Sequence, residues 1–244
     1  MKKVTFICNK KQKFSYHLGP QFHGWLMENI SEEAADYLHE SKINCYSISV
    51  SNDDKNVYFT INLLNEVAEK IFSYLVLDKE IDKIVLNNSI QKEFLVLNKQ
   101  IEELTAKQLT RNFYEGISSR EVVVDIMSPM SFKVQGDYYF FPDLELMFRN
   151  LMQKYNATFE NTNIVDNDLL QEILENSKIV SYKIQSSYYP IHKAFIPGTI
   201  GRIKIRFKGN QTLTNYTQML LNFGVFSGIG VKTGMGMGHI SIAK

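Results

Sequence analysis

Apolar and polar positions alternate at period two over about residues 2 to 8, 43 to 50 and 56 to 62, which predicts three β-strands. Between the first two, Phe22, Trp25, Leu26 and Ile30 recur at i, i+3, i+4 and i+8, the apolar stripe of an α-helix. Ser31 followed by Glu32 and Glu33 predicts a second short helix ending near His39, because a serine hydroxyl can accept one of the unpaired N–H groups of a first turn. Residues 63 to 75 (LLNEVAEKIFSYL) return to helical spacing, and strand candidates follow through 95 to 98. The first half therefore reads β-α-β-β-α-β.

The second half opens near residue 121 with EVVVDIMSPMSF, where Pro129, which has no N–H for a ladder, is expected to end the strand. Gln135, Gly136 and Asp137 form a hairpin signal that leads into YYFF. Helical spacing follows at 143 to 157 and 167 to 175, strands at 180 to 189 and 200 to 208, a helix at 213 to 223 and a last short strand at 239 to 243. The expected fold class is α+β: two tandem ferredoxin-like (RRM-like) domains, residues 1–120 and 121–244, with a C-terminal glycine-rich loop.

Composition narrows the function classes. With 244 residues, 44% of them hydrophobic and 22% charged, the chain can bury a core and is not disordered. Cys8 and Cys45 make no Cys-x-x-Cys pair, which argues against a disulfide framework or a zinc site and fits a reducing cytoplasm. No apolar run approaches the roughly 18 residues of a membrane span, and the apolar stretch of MKKVTFICNKKQK is too short for a secretory signal. The expectation is a cytoplasmic protein with no membrane partner.

The formal net charge of +1 conceals an asymmetry. Residues 1 to 27 carry five lysines and no acid, residues 176 to 244 carry nine basic residues and no acid, and residues 28 to 175 hold 13 basic and all 26 acidic residues. If the two ends fold together, a basic face results and a polyanion is the natural partner.

Three features can carry chemistry. Residues 224 to 238, GVFSGIGVKTGMGMG, are glycine-rich, and Gly228, Gly230, Gly234, Gly236 and Gly238 with Lys232 could cradle a phosphate or form a tight connection against a neighbouring backbone. The spacing fits neither a dinucleotide fingerprint nor a Walker loop. On the strand GRIKIRFK, Arg202, Lys204, Arg206 and Lys208 share one face, four cations roughly 7 Å apart that suit a nucleic-acid backbone or a solvated face. Among His17, His23, His39, His192 and His239 no pair has metal-site spacing. His39, with Tyr37 two residues before and Lys42 three after, is the candidate for proton transfer, since a nearby ammonium would hold its imidazole neutral as a base.

The segment FSGIGVKTGMGMGHISI is similar to the C-terminal glycine-rich loop of the CRISPR repeat-processing endoribonucleases, members of the repeat-associated protein superfamily. Tyr37-Leu38-His39-Glu40 before Lys42-Ile43-Asn44-Cys45-Tyr46-Ser47 resembles the family's Leu-His-Glu step ahead of a lysine and a short strand. Ser128-Pro129 and Phe141-Pro142 resemble its central Ser-Pro strand and the turn after it. The resemblance implies two ferredoxin-like domains and metal-independent cleavage of precursor CRISPR RNA within each repeat. The ribose 2′-OH would attack the adjacent phosphate, leaving 2′,3′-cyclic phosphate and 5′-OH ends. It implies His39 as the catalytic histidine, Lys42 as the nearest match to the active-site lysine, and repeat RNA held by the glycine loop, Lys232 and the basic strand. The tyrosine that some members place on the first helix is Met27 here, so Tyr37 or a second histidine, His17 or His23, would substitute. No cofactor or metal is implied. The partners implied are CRISPR repeat RNA and a CRISPR effector complex, for a monomer or homodimer. The alternative is a noncatalytic RNA-binding subunit of such a complex.

Overall fold

The computed structural model describes residues 1–10, 14–41, 43–77, 81–87, 92–116, 118–191 and 194–243. Lys42 and His192 lie outside these residues.

In the first half, strand β1 (Lys2–Asn9) leads to helices α1 (Leu18–Glu28) and α2 (Glu32–Glu40), then to strands β2 (Tyr46–Asn52) and β3 (Asn56–Leu63). Helices α3 (Glu66–Ile71) and α4 (Ser73–Leu77) precede β4 (Lys83–Leu86) and β5 (Lys92–Glu103). The strands form one sheet in the order β2-β3-β1-β5-β4. Its apolar face, with Val4, Phe6, Phe59 and Ile61, packs with Phe22 and Leu26 of α1 and Phe72 and Leu75 of the next helices. Its other face is polar, with Thr5 and Thr60 hydroxyls 3.1 Å apart. The Ser31 hydroxyl accepts from the Ala34 N–H at 3.3 Å, so α2 starts where the sequence places it.

Helix α5 (Ala106–Glu115) connects to the second half: β6 (Glu121–Met130), the β7 (Phe132–Val134) and β8 (Asp137–Tyr139) hairpin, α6 (Leu144–Phe159), α7 (Asn167–Glu175), β9 (Ser177–Ile191), β10 (Ala194–Phe207), α8 (Gln211–Ser227) and β11 (Ile240–Ala243). The sheet order β11-β6-β10-β9 has the same topology as β5-β1-β3-β2 in the first sheet. Two antiparallel sheets with this order, each with helices on one face, make the fold α+β with tandem ferredoxin-like units. The second core gathers Val124, Phe148, Leu151, Ile203 and Phe223, and Leu109 of α5 belongs to it.

Three local expectations need correction. Pro129 does not end the strand: β6 runs through it to Met130, because the pairing with β10 slips between Thr199 and Gly201 and a proline is accommodated at such an irregularity. The helical stretch at 63 to 75 is two short helices that follow the Asn65 cap. The strand candidates after residue 75 become a four-residue edge strand, β4, and the long β5, while α5 is an element that the sequence pattern did not predict. The hairpin at Gln135 and Gly136 is as expected, with φ of 51° and 96° and Val134 opposite Asp137.

Candidate catalytic cleft

A cleft of about 230 Å³ opens where the first and last parts of the chain meet. Helix α1 contributes His23 and Met27, α2 contributes Leu38 and His39, and Ser41, Asn44 and Tyr46 lead into β2. Lys232, Gly234 and Met235 of the glycine-rich segment complete the lining. His39 is exposed at the last turn of α2, beside the buried Leu38 that anchors the helix. Tyr37, two residues earlier and 49% exposed, does not line the cleft, as expected for positions i and i+2 on a helix. His17 is exposed at the start of α1 and is likewise not part of it. His23 is. Its Nδ1 lies 3.1 Å from the Tyr46 hydroxyl, with the two rings nearly parallel at 6°. Burial pushes the Tyr46 phenol pKa up, so it stays neutral beside the imidazole. Tyr46 sits inside the segment that carries the sequence resemblance, yet nothing in its spacing marked it as part of the site.

The glycine-rich segment is held by specific bonds to the end of β6. The Val231 N–H donates to the Ser131 carbonyl (2.9 Å) and the Gly238 N–H to the Pro129 carbonyl (3.0 Å). The Ser128 hydroxyl donates to the Gly236 carbonyl (2.8 Å) and accepts from the His239 N–H (2.9 Å). The glycines are required by close approach. A Cβ on Gly230 would stand 2.2 Å from the Ser131 carbonyl oxygen, and one on Gly238 1.9 Å from that of Ile229. The N–H groups of Gly228, Gly230, Gly236 and Gly238 are all spent on acceptors within the protein. The expectation of a backbone cradle built from five glycines therefore narrows to Lys232 and Gly234, the loop residues that reach the cleft with Met235. Lys232 is exposed and left-handed, with φ of 55°. Its carbonyl accepts from the N–H groups of Met235 and Met237 (2.9 and 3.2 Å), which holds a conformation that costs a non-glycine residue of order 1 kcal/mol or more.

The basic strand has the expected alternation, with Ile203, Ile205 and Phe207 buried and Arg202, Arg206 and Lys208 exposed. Three of its cations, however, are paired with acids. Arg202 makes two bonds to Asp125 (2.6 and 3.0 Å), and Lys204 and Arg206 both pair with Glu121. The acids come from β6, which lies opposite in register, and so could not be seen along β10 itself. Hydrogen bonds from Lys204 and Arg206 hold the Glu121 carboxyl below its usual pKa. The lysines near the chain start are treated similarly, Lys2 pairing with Glu69 and Lys3 with Glu102.

Imidazole, ammonium, amide and phenol groups thus line one cleft. Among the described residues no carboxylate lines it and no cluster of three or more potential metal ligands occurs. This donor set serves proton transfer and anion binding.

Residues 124–240 match the family profile described as CRISPR-associated endoribonuclease Cas6. The chain is 34% identical over 245 residues to the CRISPR-associated endoribonuclease Cas6 of Streptococcus thermophilus, covering 100% of this chain and 99% of that protein. It is 30% identical over 227 residues to that of Mycobacterium tuberculosis, covering 92% of this chain and 71% of the other. A solved Cas6 product complex superimposes with a TM-score of 0.78 at 18% identity over the full length of both chains, a likeness of fold.

Proposed function

The chain belongs to the CRISPR-associated endoribonuclease Cas6 family, and on that premise we propose that it cuts precursor CRISPR RNA within its repeats, without a metal, by attack of a ribose 2′-OH on the adjacent phosphate. The observation that carries this reading is the meeting of His39 from the first half with Lys232 from the glycine-rich segment in the lining of one cleft.

In this reading the RNA backbone threads the cleft with one phosphate beside Lys232. His39 takes the proton from the 2′-OH, and the ammonium of Lys232 offsets the charge that builds on the pentacoordinate phosphorus. His23, its ring oriented by Tyr46, is the second imidazole of the cleft and supplies the proton to the departing 5′-oxygen. The products are a 2′,3′-cyclic phosphate and a 5′-OH. Met27 stands on the first helix, where some family members have a tyrosine, so the proton transfer falls to another group; that His23 lines the cleft, while Tyr37 and His17 do not, supports His23 for this role. The exposed Lys208 and Lys232 supply charge for the RNA. A division near residues 120 and 121, with Leu109 of α5 packed into the second core, leaves the cleft lined from both units, and the free, buried Cys8 and Cys45 suit a reducing cytoplasm.

The test is incubation with a cognate repeat RNA in EDTA. A single cut that persists without divalent ions, and that a 2′-deoxy substitution at the cut position blocks, is the expected result. Tight binding of the repeat with no cut would instead identify a noncatalytic RNA-binding subunit of an effector complex.

A further inference from the structure

Lys154 of α6 is 7% exposed and faces no carboxylate that pairs with it among the described residues. Its ammonium points into the inner side of the glycine-rich segment. There it lies 3.0 Å from the carbonyl oxygen of Gly228, 3.3 Å from those of Ser227 and Gly230, and 3.2 Å from the Thr233 hydroxyl. Three of these four partners are carbonyls, which only accept. They come from the last residue of α8 and the turn after it, two to five residues before Lys232, and the fourth comes from the residue immediately after it.

An uncompensated buried ammonium is costly, and its burial pushes the pKa down to about 7. A neutral residue of the same shape, such as Met, would avoid that cost and fill the same space. What it could not do is gather three backbone carbonyls onto one point. With their oxygens turned inward to Lys154, residues 227 to 230 are fixed in orientation. The Asn150 side chain adds to the grip by accepting the Gly230 N–H at 2.8 Å from one turn earlier on the same helix. Asn150 and Lys154 share a pocket of about 340 Å³ with Asn44 and Lys232, two residues that also line the His39 cleft.

We propose that Lys154 is a positioning residue for RNA cleavage: a cation inside the glycine-rich turn that fixes its backbone so that Lys232 and Gly234 stand at the reacting phosphate. The inference rests on the endonuclease reading above. It requires that loss of the charge displaces the loop's part of the cleft lining while leaving the rest of the RNA grip intact. The effect therefore falls on the chemical step more than on binding.

The experiment compares the intact protein with Lys154→Met and Thr233→Val, the second removing one of the four partners with little change of shape. For Lys154→Met, single-turnover cleavage of repeat RNA is expected to fall by about 100-fold, the scale of a misplacement of about 1 Å. The Kd for the RNA is expected to stay within about threefold. Thr233→Val is expected to show the same split at about tenfold. Amide hydrogen exchange should accelerate in residues 227 to 238 and not in the two sheets. If Lys154→Met does not fold, the split and the exchange pattern are read from Thr233→Val. Unchanged cleavage in a folded variant overturns the proposal. So does a uniform fall in stability, binding and rate, which would make Lys154 a packing residue. A wild-type protein that binds repeat RNA and never cuts it refutes the endonuclease reading instead, and the exchange pattern still decides whether Lys154 orders the turn.

Discussion

The Tyr46 hydroxyl lies 3.1 Å from Nδ1 of His23, joining a phenol rooted in the core to an imidazole on the cleft wall. Tyr46 is 2% exposed and packs edge-on against Phe72, with ring centroids 5.0 Å apart. The pair gives His23 one fixed ring orientation. Tyr46→Phe keeps the packing and removes the bond, so cleavage is expected to fall about tenfold while the melting temperature moves by only a few degrees, the effect of about 1 kcal/mol. Single-turnover kinetics beside a thermal melt would check this.

His39→Ala is expected to lower cleavage by about 10² to 10⁴, the usual contribution of a positioned acid or base, without weakening RNA binding. His17→Ala and Tyr37→Phe should cut at the wild-type rate, because neither residue lines the cleft. A His39→Ala protein with full activity would remove the imidazole from its proposed role.

Pairing on the basic strand predicts an uneven response to loss of charge. Arg202→Ala removes a cation already committed to Asp125, and repeat-RNA affinity should change by less than about twofold. Lys232→Ala removes an exposed ammonium at the cleft. Its affinity should fall by about fivefold, and the slope of log affinity against log salt should flatten by about one phosphate contact. Filter binding across a salt series separates the two.

Gly238 has φ of 65°, and a Cβ there would stand 1.9 Å from the Ile229 carbonyl oxygen. Gly238→Ala is therefore expected to cost about 2 kcal/mol or more, lowering the melting temperature by roughly 6 °C. Gly24→Ala, where a Cβ meets nothing within 4 Å, should be neutral or slightly stabilising as a helical site.

Stability should also depend on acid through His239. Burial, with the nearby Lys3 charge, lowers its pKa to about 4 from the ordinary 6.5. Between those values the unfolded chain takes up a proton that the folded chain refuses. The stabilisation is thus complete above pH 6.5 and is lost as the pH falls through 4. Melting curves from pH 7 to pH 4 should show a smaller decline for His239→Gln than for the wild type.

Much of this arrangement was legible along the chain because it depends on local chemistry. Ser31 caps α2, and α2 ends with His39 at its tip, as the spacing indicates. Gln135 and Gly136 turn the hairpin as expected. What escaped was set by partners distant in sequence. The acids that pair with Arg202, Lys204 and Arg206 lie on β6, about 80 residues earlier, and only the strand register brings them opposite. Pro129 is tolerated because the β10 ladder is irregular beside it. Strand β4 is too short to show a period. Lys154 reads as the polar side of an amphipathic helix until the turn after α8 folds over it.

The Tyr189 hydroxyl donates to the Met235 carbonyl at 2.6 Å and fills the space beside two glycines, where a Cβ on Gly19 or on Gly236 would stand 2.0 or 2.5 Å from it. One glycine belongs to α1 and the other to the glycine-rich segment, so a single phenol from β9 serves as a strut between the two halves. That joint has no slack. The long β9–β10 hairpin is thereby tied through one hydroxyl to Met235 in the lining of the cleft.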